Sequence, residues 1–130
     1  MGFFTKTKKT VSPQGALILS IMAMMYIDGS EEDILVRIFT NSKPDESFEE
    51  LEKLYDDTED LDVLLDLITN SLDEKQRMTV IANLLDTAMA DGALEDDEKV
   101  LLKAFIKRFD VDSDDADTII RVIAIKNRAL

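Results

Sequence analysis

Apolar residues recur along this chain at three- and four-residue steps, the spacing of amphipathic helices. Leu17, Ile18, Ile21, Met24 and Met25 mark the first run, opened by Ser12-Pro13, a capping serine ahead of a proline suited to a first helical position. That run reaches about Ile27 and is apolar almost all round, so it predicts a central helix buried on most sides. Gly29 is placed to end it, Ser30 to cap the next, and Ile34, Leu35, Ile38 and Phe39 form the second stripe. Asn41-Ser42-Lys43-Pro44-Asp45 breaks the pattern. A third stripe holds Phe48, Leu51, Leu54 and Tyr55; a fourth, capped by Thr58, holds Leu61, Leu64, Leu65 and Ile68. Ser71 with Glu74 predicts a capping box for a fifth helix carrying Met78, Ile81, Leu84, Leu85 and Ala88. A sixth, from about Glu95 to Phe109, has Val100, Leu101, Ala104, Phe105 and Arg108 inside. A seventh opens at Asp112 or Ser113 and carries Ile119, Ile120, Ile123 and Ile125. No segment reads as a strand. The fold expected is all-α, a single-domain bundle of about seven helices over residues 13–130, after a flexible N-terminal tail at residues 1–12.

The first and fifth helices end alike. Met24-Met25-Tyr26-Ile27-Asp28-Gly29 and Leu85-Asp86-Thr87-Ala88-Met89-Ala90-Asp91-Gly92 each close an apolar run with Asp-Gly, and each leads through an acidic link into another helix. Asp28 and Asp91 stand 63 residues apart, and at that offset Ile18 falls on Ile81 and Ile21 on Leu84. With a link three residues shorter in the first copy, Glu32 falls on Glu98 and Phe39 on Phe105. Two pseudo-repeated helical hairpins follow, with the first and fifth helices side by side.

Charge narrows the partners. The net charge is −13, and Asp45 to Asp66 alone holds eleven acids against Lys53. Apolar spacing persists through that stretch, so the acids form a solvated outer face. Such a chain repels phosphate backbones, which argues against nucleic acid as a partner. With neither histidine nor cysteine, disulfides, thiolate metal sites and the commonest general base are excluded. There is no phosphate-binding glycine loop and no nucleophile elbow, so a non-enzymatic role is expected. No apolar run is long enough to span a membrane.

Met1 to Thr10 differs from the rest, with Phe3, Phe4, Lys6, Lys8 and Lys9 and no acid. It lacks the layout of a signal peptide, and Lys6 stands where a myristoylation signal has Ser or Thr. It reads either as a solvated tail or as a weak contact for an anionic membrane or a partner.

The run Ala88-Met89-Ala90-Asp91-Gly92-Ala93-Leu94-Glu95-Asp96-Asp97-Glu98 leading into Leu101-Leu102, with its degenerate first copy, resembles the TerB-like family of tellurite-resistance proteins over most of residues 15–125. The resemblance implies an all-α bundle with internal pseudo-symmetry, a bacterial stress or metal-response setting, and acidic positions after the Asp-Gly that have been suspected of holding metal. It carries over to Asp91 and Glu98, and to Asp28 and Glu32 in the first copy, where Asp33 is the competing acid. A cytoplasmic protein is expected, free or peripheral at the inner face of the membrane.

Each corner aspartate lies two turns beyond a buried position, on the inner face of its helix. A carboxylate there is costly unless paired, hydrogen-bonded or bound to a cation. Asp28, Glu32, Asp91 and Glu98 together are a hard-cation set for Ca²⁺, Mg²⁺ or Mn²⁺. They are equally the residue types that cap helices and favour first turns. A second candidate surface is the acidic face of the third and fourth helices, where Glu49, Glu50, Glu52 and Asp56 suit a basic protein partner, membrane-associated partners included. Asp110-Val111-Asp112-Ser113-Asp114 begins like an EF-hand loop, but Asp115 replaces its glycine and Arg121 its bidentate glutamate, so a helix cap is expected. Met22, Met24 and Met25 are expected in the core.

Overall fold

Ser12 starts the first helix, its Oγ accepting the Gly15 N–H at 2.9 Å. Helix α1 runs Pro13–Asp28 in the structure, a computed structural model that describes residues 10–28, 32–89 and 94–129, with backbone alone at 27, 28, 32, 33 and 129. Ile18, Leu19, Ile21, Met22, Met24 and Met25 are all buried. Ser20, buried among them, donates its hydroxyl to the Ala16 carbonyl at 2.8 Å, so no polar group is stranded there. Helix α1 is the hub: it packs against α2 (Glu32–Ser42), α3 (Phe48–Asp57), α4 (Leu61–Asn70), α5 (Glu74–Ala88) and α6 (Asp96–Phe109). The last helix, α7 (Ser113–Ala129), packs on α5. Among the described residues all regular structure is helical. The first and fifth helices are direct neighbours. None of the described helices is long and apolar enough to cross a membrane.

The chain breaks follow local chemistry. Helix α2 ends where Lys43 takes a left-handed φ of 51° just before Pro44. The expected caps Gly29 and Ser30 lie outside the described residues. Two other caps differ from the sequence reading. Thr58 closes α3 instead of opening α4: its Oγ1 bonds back to the Leu54 carbonyl at 2.7 Å, and Asp60 caps α4 through the Asp62 N–H at 2.9 Å. Ser71 likewise closes α4 on the Leu67 carbonyl at 2.8 Å, and the capping box of α5 is Asp73 with Gln76. A hydroxyl can serve either end of a helix, so Ser or Thr between two runs does not say which one it caps.

The stripes hold with corrections on α4, α6 and α7: Leu61, expected in the α4 stripe, is 42% exposed at the first position of its helix. Val100, expected inside α6, is 70% exposed, while Leu101, Leu102, Phe105 and Phe109 are buried. A helix turns about 100° per residue, and the buried arc is centred on the Leu102 side, which swings Val100 to solvent. On α7, Ile119 and Ile123 pack inward with the buried Ala116, but Ile120 and Ile125 face outward, since the helix has a principal neighbour on one side. Arg108, also expected inside, bridges α6 to α4: Nη1 donates to Asp66 Oδ1 at 2.6 Å and Nη2 to Asp62 Oδ1 at 2.8 Å. Lys126 and Asn127 tie α7 to α5 through Asp86 Oδ1, at 2.9 and 3.2 Å.

Anchoring begins before α1. Val11 packs against the core and donates its N–H to Ser71 Oγ at 2.9 Å, and Ser12 is held by Glu46. Val11 and Ser12 are therefore tied to the helical domain.

Candidate functional site

Glu98 is the one candidate metal ligand whose side chain is among the described residues. It sits in the first turn of α6 and is 2% exposed. Its Oε1 accepts the Glu95 backbone N–H at 2.8 Å, closing a reciprocal capping box with Glu95. Sequence and geometry agree on why: an acid at the third helical position reaches back to the cap, and the helix N-terminus favours its charge. Asp28 is the last residue of α1 and Glu32 the first of α2, but their side chains lie outside the described residues, as does Asp91 altogether. The helices that carry the corners are neighbours, α1 packing against both α5 and α6. Among the described residues, no three carboxylates converge closely enough to hold a metal ion.

The acidic face of α3 is fully described. Glu49, Glu52 and Asp56 follow one another at three- and four-residue steps on its outward side, and none of the three forms an ion pair among the described residues. Glu50 stands apart from them: its Oε1 accepts the Ser47 N–H at 2.8 Å in the capping box that opens α3. Beyond Asp56, Tyr55 lines a hollow of about 360 Å³ with Leu61 and Leu64. Burial, and then the charge of Asp56, pushes the Tyr55 phenol above its ordinary range. Its ring meets Tyr26 edge-on at 5.0 Å.

A hollow of about 390 Å³ went unforeseen in the sequence. Arg77 of α5 lies in it with Glu74, Asp110, Asp112 and Asp115. The guanidinium donates through Nη2 to the Thr69 carbonyl at 3.0 Å, and its Nε is buried without a partner among the described residues. The segment that begins like an EF-hand loop forms one wall. Asp110 closes α6 in the left-handed region at φ 56°, and Asp112 caps α7 through the Asp114 N–H at 2.7 Å. These acids do helix-terminal work, and a resident guanidinium disfavours a second cation beside it. The only sequence signal for this hollow was an arginine one position from the apolar stripe of α5.

Comparison with curated proteins and with solved structures returns no significant match. Residues 14–121 match the family described as Tellurite resistance protein TerB. The match runs from the second residue of α1 into the middle of α7, taking in both Asp-Gly corners and the buried Glu98. With a match over that much of its length, the chain belongs to the TerB family.

Proposed function

We propose that this chain is a non-enzymatic binding module of a tellurite-resistance-type stress or metal-response system, and that the corner of Asp91 and Glu98, with Asp28 and Glu32, takes up a divalent cation. What supports the reading is Glu98, a carboxylate buried at the N-terminus of α6, immediately after the Asp-Gly link. A carboxylate so placed is costly unless its charge is compensated. Oxygen ligands alone select Ca²⁺, Mg²⁺ or Mn²⁺ over zinc. The cation would fix the angle between two helices and so the shape of the surface they present.

Thermal melting in the presence of each ion tests this. A site of about 0.1 mM affinity adds about 1.4 kcal/mol at tenfold higher ion concentration. Glu98→Gln keeps the acceptor of the capping box and removes the charge, so with Asp91→Asn it is expected to abolish the ion response while the fold persists. An equal response in that double variant would sink the specific site.

A second reading is an acidic adaptor for a basic protein, favoured by Glu49, Glu52 and Asp56 on the outer face of α3, which form no ion pair among the described residues, with Glu50 beside them. A lysine-rich synthetic peptide is the probe. Binding is expected to weaken with salt and to be lost when Glu49, Glu52 and Asp56 are changed to lysine. Unaltered affinity in that variant would remove the reading.

A further inference from the structure

The turn from α3 to α4 encloses the hollow of about 360 Å³, lined among the described residues by Tyr55, Asp56, Thr58, Glu59, Leu61 and Leu64. Three kinds of surface meet there. Tyr55 brings an aromatic ring, and buried Leu64 an apolar floor beside the exposed Leu61. Asp56 and Glu59 bring two exposed carboxylates, and neither forms an ion pair or side-chain hydrogen bond among the described residues. The acids around them are already engaged: Asp57 holds Lys53, Asp60 caps α4 and Asp62 holds Arg108. The Thr58 hydroxyl donates to the Leu54 carbonyl. No cation lines the hollow among the described residues.

This mixture selects among cations. Two carboxylates are too few to hold a metal ion without further ligands. An ammonium is strongly hydrated and needs neither the ring nor the leucine. A guanidinium uses all three surfaces: it is weakly hydrated, stacks on an aromatic ring and presents several donors to carboxylates, while its methylene stem covers apolar surface. The ring and one carboxylate already act on the same space, since burial, and then the charge of Asp56, raises the Tyr55 phenol. Roughly 300 Å³ is the lower end for small-molecule pockets, so the hollow is ample for one side chain. It also adjoins the Asp56 end of the acidic face of α3, so a basic segment lying on that face reaches it directly.

We propose that this hollow anchors one arginine side chain of a basic partner protein, its guanidinium against the Tyr55 ring and between Asp56 and Glu59, its stem over Leu61. The proposal rests on the adaptor reading and adds to it which residue is recognised and where. It is independent of the cation corner.

Two synthetic peptides test it on the full chain, a lysine-rich one and the same peptide with its central lysine replaced by arginine, with affinity read by fluorescence anisotropy. The arginine peptide is expected to bind the parent roughly three- to tenfold more tightly. Tyr55→Leu is expected to remove that advantage, as is Asp56→Asn with Glu59→Gln. The second variant touches only exposed side chains with no hydrogen bond among the described residues, so it keeps the test decisive if Tyr55→Leu disturbs the fold. Glu49→Lys with Glu52→Lys should weaken both peptides and leave their ratio unchanged. The chain has two tyrosines and no tryptophan, so in a Tyr26→Phe background the intrinsic emission belongs to Tyr55. The arginine peptide is expected to alter that emission more than the lysine peptide does. Equal affinity of the parent for the two peptides would overturn the anchor and leave the adaptor reading standing. An arginine advantage that survives Asp56→Asn with Glu59→Gln would overturn the assignment to this hollow. Binding of neither peptide would remove the adaptor reading and the anchor with it.

Discussion

The carboxylate of Glu46 holds Ser12 by two groups at once, accepting its backbone N–H at 2.8 Å through Oε2 and its hydroxyl at 2.6 Å through Oε1. The same hydroxyl oxygen accepts the Gly15 N–H, so a residue of the α2–α3 link fixes the cap that starts the central helix. Burial pushes the Glu46 carboxyl up, but the hydrogen bonds from the Ser12 hydroxyl and backbone outweigh it and hold the group below its ordinary value of 4.5. A depressed folded pKa gives stability that is full above the unfolded pKa. It is lost as pH falls from about 4.5 through the folded value. Asp86, held below its ordinary 3.8 chiefly by the Lys126 hydrogen bond, acts in the same direction at lower pH. Glu46→Gln is expected to cost about 1 kcal/mol at neutral pH, the low end for a charge-assisted bond because the site is partly solvated. It should also flatten the loss of stability below about pH 4.5. Urea unfolding of parent and variant between neutral and acid pH checks both; parallel acid limbs would contradict the assignment.

Gly15 is a consequence of that same contact. A Cβ built there would lie 2.5 Å from Glu46 Oε1 and 3.1 Å from Ser12 Oγ. Alanine in a helix is ordinarily worth about 1 kcal/mol over glycine. Here Gly15→Ala is expected to destabilise by about 1 kcal/mol instead, because the methyl displaces the carboxylate from Ser12. In a Glu46→Ala background the sign should reverse toward stabilisation. Chemical denaturation of the two single variants and the double variant measures the coupling, and additive effects would show that the contact does not matter.

Much of the bundle was legible because burial repeats at helical steps: Ile18, Ile21, Ile81, Leu84, Leu101 and Phe105 all lie inside. Helix ends were less legible. Thr58 and Ser71 satisfy carbonyls of the helices they follow, while Asp60 and Asp73 take the next N-termini, and two-residue shifts of this kind leave the stripe unchanged. Position on the rim of a stripe was also ambiguous, as Val100 shows. Of the candidate sites, the acidic face of α3 could be read directly, since Glu49, Glu52 and Asp56 are local neighbours. The Arg77 hollow could not, because Glu74 and Asp110–Asp115 meet only through the packing of α5 with the α6–α7 link.

Lys43 is a strained position. Its φ of 51° places a side-chain-bearing residue where glycine is favoured at a helix C-terminus. Its N–H still bonds the Phe39 carbonyl at 3.0 Å, so the geometry is set by the helix end and by Pro44 after it. Lys43→Gly is expected to stabilise by about 0.5 kcal/mol, the relief of strain exceeding the added entropy of the unfolded chain. Lys43→Val should destabilise, since a β-branched residue tolerates this region least. Thermal melting of the two variants checks the order, and a reversed order would mean that the link relaxes to another conformation.

Glu98 separates capping from charge. Replacing it by alanine removes the acceptor for the Glu95 N–H and leaves a small void at a buried site, so Glu98→Ala is expected to cost about 1–2 kcal/mol. Glutamine keeps the Oε1 acceptor, so Glu98→Gln should retain most of that stability without added ions. If the corner holds no cation, the parent and Glu98→Gln should then behave alike on adding Mn²⁺, Mg²⁺ or Ca²⁺. If it does, the parent alone should gain melting temperature, and the gap between the two proteins should widen with ion concentration as mass action requires. The alanine variant, lacking both functions, serves as the reference for how much of the corner's stability is the cap. A glutamine variant as unstable as the alanine variant, with no ion present, would show that the charge itself, and not the hydrogen bond to Glu95, holds this end of α6.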